Sequence, residues 1–240
     1  MGWIWALLAL IFCAPLPGQL ITRLTPESAQ AFDAYVKDAE AHMDWRPRMQ
    51  PGGDVHVGPA ANKTPRDAPE SLIHDWIAAM IVPRAQANKA IALLQDYENY
   101  KSVYAPDVRE SRLLSRSGGH FYPFLKLHKK SVIPVVLDSE YDVEFKSLAA
   151  GRWAVVSHST KISEVDGTPL AEGTGHGFLW RLNSYWLIEQ RGESVYMECR
   201  TISLTRDIPV GLGWVLRPVL NNLPRESLKE TLEATARALR

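Results

Sequence analysis

The chain has only two cysteines in 240 residues, Cys13 and Cys199. A disulfide framework and a cysteine-based zinc site are therefore excluded. Net charge is also missing, because Lys plus Arg equals Asp plus Glu at 27 each. Such a chain has no global field to steer it towards nucleic acid or an anionic membrane, and no nucleic-acid partner is expected. One local basic cluster, Lys126, His128, Lys129 and Lys130, reads as a solvated strand end. A membrane span needs about 20 apolar residues, and the longest unbroken run, Trp3–Ala14, is shorter. Followed by Pro15, Pro17 and Gly18, that run has the shape of a secretory leader, although it has no basic residue before it. Residues 1–19 are read as a signal peptide and the protein as exported, periplasmic or extracellular. An uncleaved leader anchoring it to the membrane is the alternative.

Familiar chemistry is absent as well. No His-x-His or His-Glu-x-x-His pattern occurs, and no Gly-x-Ser-x-Gly elbow. His74 and Asp75 are neighbours in a strand and point to opposite faces. His158 and His176 have no carboxylate at a spacing that forces contact. Gly173-Thr-Gly-His-Gly177 precedes a strand, not a helix, so it reads as a loop and not a phosphate cradle. No catalytic residue, metal or cofactor is expected.

What is present is a globular composition, 46% hydrophobic and 22% charged. Thr25-Pro26-Glu27-Ser28 is a helix start, and Ala29, Phe32, Val36, Ala39 and Met43 follow at helical spacing up to about Trp45. Eight Pro and Gly residues between 46 and 69 mark a linker or extended arm. The domain proper spans 70–240. Leu72–Val82 reads as a strand, Ala85–Gln95 and Tyr97–Tyr104 as helices. Val108–Ser115, Phe121–Lys130, Val132–Lys146, Trp153–Val165, Gly177–Gln190 and Ser194–Arg206 read as strands, separated by turn signals. Val210–Asn222 and Pro224–Leu239 read as helical. The pattern predicts an α+β fold, with a curved antiparallel sheet of about seven strands and a long C-terminal helix as its cover.

The last hairpin can be registered by hand. With Gly192-Glu193 as the turn, Ile188 faces Met197, Trp186 faces Cys199, Ser184 faces Thr201 and Leu182 faces Ser203. One face then collects Phe178, Trp180, Leu182, Ser184, Trp186, Ile188, Val195, Met197, Cys199, Thr201 and Ser203, without a charge. The other collects Arg181, Asn183, Tyr185, Glu198 and Arg200 among apolar residues, the mixture of a solvated face. Aromatics interleaved with Ser, Thr and Cys fit ordinary core, or a cavity with a few polar groups.

The segments 177–186 (GFLWRLNSYW), 202–209 (ISLTRDIP), 211–214 (GLGW) and 223–228 (LPRESL) resemble the START-like, or polyketide cyclase/lipid-transport, superfamily of Bet v 1-like helix-grip proteins. The likeness is to an exported bacterial subgroup near the coenzyme Q-binding START-type proteins. It covers about residues 70–240 and implies a hydrophobic tunnel between the sheet and the C-terminal helix. The implied function is non-catalytic binding or transport of a lipid, isoprenoid or quinone-like molecule, with transient membrane contact. The alternatives are a cyclase or hydratase acting on a polyketide-like substrate, and an interaction domain with a filled core. Expected lining residues are Phe178, Trp180, Leu182, Ser184, Trp186, Met197, Cys199, Thr201 and Ser203, with Leu212, Trp214 and Leu216 from the helix that follows.

Overall fold

A computed structural model describes residues 21–129, 134–207 and 213–240, without the side chains of 213–221. The leader lies outside the described residues. In chain order the elements begin with β1 (Thr22–Arg23), α1 (Pro26–Ala41), β2 (His56–Pro59), β3 (Arg66–Ala68) and β4 (Ser71–Pro83). Then come α2 (Ala87–Gln95), a short 3-10 turn, α3 (Tyr100–Val103), β5 (Val108–Ser117), β6 (His120–Lys129), β7 (Val135–Ala149) and β8 (Arg152–Asp166). The chain ends with β9 (Thr168–Pro169), β10 (Thr174–Gly175), β11 (Arg181–Arg191), β12 (Ser194–Arg206) and α4 (Gly213–Ala238). The main sheet is antiparallel in the order β2-β4-β12-β11-β8-β7-β6-β5, with β3 added to β4 and β9 to β8. It exceeds the expected strand number chiefly because the Pro/Gly-rich arm supplies β2 and β3. Among the described residues, no helix is long and apolar enough to cross a membrane.

The hairpin register is the one read from the sequence: Trp186 opposite Cys199, Ser184 opposite Thr201 and Leu182 opposite Ser203. Gly192, at the first turn position, has φ +59°, a conformation open to glycine and costly for most other residues. The C-terminal region forms one helix, not two. Pro224 lies inside α4, at the loss of one helical hydrogen bond.

The inner face of the sheet meets α4. Leu228, Leu232 and Ala236 join Met80, Val82, Ile188, Val195 and Met197 in one core, which α2 closes with Ala87, Ala90, Ile91 and Leu94. The outer face departs from expectation, because it is not solvated. Helix α1 is capped by Thr25 Oγ1, which accepts from the Ser28 N–H at 3.2 Å. It lays Phe32, Val36 and Ala39 on Ile73, Trp180, Tyr185, Ile202 and Leu204. The polar residues of this face are paired underneath. Arg200 donates two bonds to Asp75, at 2.8 and 2.6 Å, and Tyr35 of α1 donates a third at 2.7 Å. Glu40 of α1 accepts from Tyr185 at 2.7 Å and lies 2.6 Å from His158 Nε2. Glu198 accepts from the backbone N–H groups of Arg48 and Met49. A composition that looks solvated belongs to a paired network, buried at Asp75, Tyr185, Glu198 and Arg200.

Candidate functional site

Between the inner face and α4 the core is not filled. A cavity of about 720 Å³ remains, within the range of small-molecule sites. Its floor and walls follow from strand registers. Val155, Trp186 and Cys199 lie in one row across β8, β11 and β12, and Ser157, Ser184 and Thr201 form the next. Phe145 and Val143 of β7 continue the two rows, opposite Val155 and Ser157. Tyr141, Leu137 and Val135 extend the wall along β7, and Leu125 and Leu127 extend it on β6. Leu228, Thr231 and Ala234 of α4 form the roof, with Leu94, Tyr97 and Tyr100 at one end.

The polar groups among these apolar walls are mostly neutral. Tyr104 hydrogen-bonds Thr235 at 3.0 Å, and Tyr100 donates to the Leu94 carbonyl at 2.6 Å. Burial pushes the Tyr104 and Tyr141 phenols up to about 12, and Tyr97 and Tyr100 higher still, so all four are neutral at ordinary pH. The Cys199 thiol is likewise pushed up by burial. The lining also includes lysine, arginine and carboxylate groups. Lys129 at the end of β6 pairs with Asp107 at 2.7 Å and with Glu230 of α4. Glu233 and Arg237 are the remaining charges. Asp107 is half-buried and Glu230 exposed, so this pairing sits at the rim of the cavity. The basic cluster read from the sequence is thus largely paired: Lys126 meets Glu110 at 3.1 Å and Asp138 at 3.6 Å, while Lys130 lies outside the described residues.

Of the residues expected on the wall, Phe178, Leu182, Ser184, Trp186, Cys199, Thr201 and Ser203 line the cavity. Trp180 does not. Strand β11 starts only at Arg181, so the alternation cannot be carried back to it, and Trp180 packs under α1 on the outer face. Met197 shares the inner face but lies one row beyond Trp186 and Cys199, opposite Ile188, where α2 and α4 close the core. Leu212 lies outside the described residues, as do the side chains of Trp214 and Leu216. The β7 wall was missed although its signal was plain: Val135, Leu137, Ser139, Tyr141, Val143 and Phe145 alternate with Asp138, Glu140, Asp142 and Glu144.

The search for His–carboxylate pairs by spacing also failed. Besides His158–Glu40, His120 Nδ1 lies 2.7 Å from Asp142 and His176 Nδ1 lies 3.0 Å from Glu164. Buried Glu164 also accepts from the N–H groups of His176 and Phe178, at 2.6 and 3.0 Å. The glycine-rich loop is folded around this carboxylate. A Cβ on Gly175 would come within 2.5 Å of Glu164.

No family model matches the chain, and no curated protein does. Solved structures do. A STAR-related lipid transfer protein from Xanthomonas axonopodis is 20% identical, over 73% of this chain and 96% of that one, with a TM-score of 0.51. Human STARD10 is 14% identical, over 89% of this chain and 81% of that one, with a TM-score of 0.53. An aromatase/cyclase from Streptomyces sp. R1128 also matches, at 14% identity over 69% of this chain and 88% of that one, with a TM-score of 0.41. The expectation that the chain is not an enzyme is corrected: its basis, histidines without carboxylate partners, is removed by the His158–Glu40, His120–Asp142 and His176–Glu164 pairs.

Proposed function

We propose, for a chain with the fold of the START/Bet v 1-like superfamily, that the cavity binds a hydrophobic small molecule of lipid, isoprenoid or quinone type. The observation that carries this reading is a space of about 720 Å³ in the place of a packed core, walled by apolar and neutral polar side chains. A lipid transfer protein among the structures of like fold supports it. The apolar walls would take the body of the molecule, and the charged rim would face water. Exchange with a membrane and export behind the leader belong to the same proposal.

The test is native mass spectrometry of the purified full chain, followed by organic extraction and identification of what is released. A retained apolar molecule, displaced by an added lipid, is the expected result. Comparing the released molecule with the one supplied also shows whether it has been transformed. A protein that holds nothing and takes up nothing from lipid vesicles overturns the proposal.

A further inference from the structure

One line of the cavity wall has no counterpart on the protein. Ser184 of β11 pairs with Ser157 of β8 on one side and with Thr201 of β12 on the other. Three hydroxyl side chains therefore stand at one level on adjacent strands, about 5 Å apart, in a row about 10 Å long. All three line the cavity. Other hydroxyls there are held by the chain itself: Thr205 by His74, Tyr104 by Thr235, and Thr231 by the Ser227 carbonyl. Ser157, Ser184 and Thr201 make no side-chain hydrogen bond to any described residue. Ser203, one step further along β12, shares that property.

A plain hydrocarbon laid on this row would strip water from three hydroxyls and give nothing back. A carboxylate or an amine would be buried there without an opposite charge in the row. A neutral oxygen suits it, because a hydroxyl can donate to a carbonyl and can both donate to and accept from another hydroxyl. The flanking row of Val155, Trp186 and Cys199 has no hydroxyl: its polar groups are one indole N–H, a donor only, and one thiol, a weak donor. We infer that the ligand has an apolar body carrying at least two neutral oxygens, carbonyl or hydroxyl, about 5 Å apart, which bond the Ser157–Ser184–Thr201 row. This inference rests on the function proposed above and narrows it to oxygenated molecules.

The experiment compares two probes with the same three-ring frame, anthracene and 9,10-anthraquinone, by equilibrium dialysis against the full chain freed of bound molecules. The quinone adds two carbonyl oxygens and little else. Wild type is expected to bind it about tenfold tighter or better. The near-isosteric triple variant Ser157→Ala, Ser184→Ala, Thr201→Val should lose that preference and keep its affinity for anthracene. Ser184→Ala alone, the milder change at the centre of the row, should lose part of it. Equal affinity of wild type for the two probes overturns the inference, as does a preference that survives the triple variant. So does a molecule released from the purified protein that is apolar but carries no such pair of oxygens, although the proposed function then stands. If neither probe binds and nothing is retained, the function and the inference fall together.

Discussion

At the residue scale, two neighbours in β4 show how far a face decides chemistry. Asp75 points out, pairs with Arg200 and accepts a hydrogen bond from Tyr35. His74 points in, is fully buried, and has only Thr205 Oγ1, at 3.0 Å from Nε2, as a partner among the described residues. Burial pushes the His74 imidazole down from 6.5 to about 4. The unfolded chain therefore takes up a proton near pH 6.5 that the fold refuses until about pH 4. The stability held by neutral His74 is complete above pH 6.5 and is lost progressively as pH falls from there to about 4. The loss amounts to about 3 kcal/mol. Urea unfolding of wild type and His74→Gln across pH 7 to 4 measures it. The wild type should lose stability more steeply over that window by about this amount, and parallel curves would remove His74 from the account.

At the scale of elements, α1 and the arm are the part that changes the picture. Residues 20–69 read as a helix and arm outside the domain, yet α1 seals one face of the sheet and β2 and β3 extend it. Phe32 is 2% exposed under this seal. Phe32→Ala should cost about 3–5 kcal/mol in urea unfolding, as a core truncation does. A helix resting loosely on a solvated face would cost almost nothing. The difference explains what was legible. The β11–β12 register was, because a two-residue turn and strict alternation act over short range. The cover of the outer face was not. Asp75, Arg200, Tyr35 and Glu40 have the composition of a wet surface, and their pairing joins residues 40 to 145 positions apart. The same distance hid the partner of His158. Part of the cavity wall was readable in the hairpin and, unread, in β7. The Lys129–Asp107–Glu230 clasp joins three elements and had no local sign.

At the scale of the molecule, the β4–β12–β11 part of the sheet is covered on both faces but filled on only one. The outer layer is closed by α1 with paired polar groups, and the inner layer keeps its space between the sheet and α4. Along β11 two residues on the same inner face stand on either side of the boundary between core and cavity. Ile188 is fully buried against Met197, α2 and α4, and does not line the cavity. Trp186, two residues earlier, packs into the same core and also lines the cavity. Truncating Ile188 opens a new hole in close-packed surroundings, so Ile188→Ala should cost about 2–5 kcal/mol and leave retention of the bound molecule intact. Truncating Trp186 enlarges a space that already exists. Trp186→Ala should therefore fall below the roughly 3–5 kcal/mol of a packed tryptophan, while the bound molecule loses its contact and is released. Urea unfolding of protein freed of ligand gives the first quantity for both variants, and native mass spectrometry gives the second. Equal losses of stability with equal retention would mean that the two positions share one packed layer, and that the space beside Trp186 closes in solution.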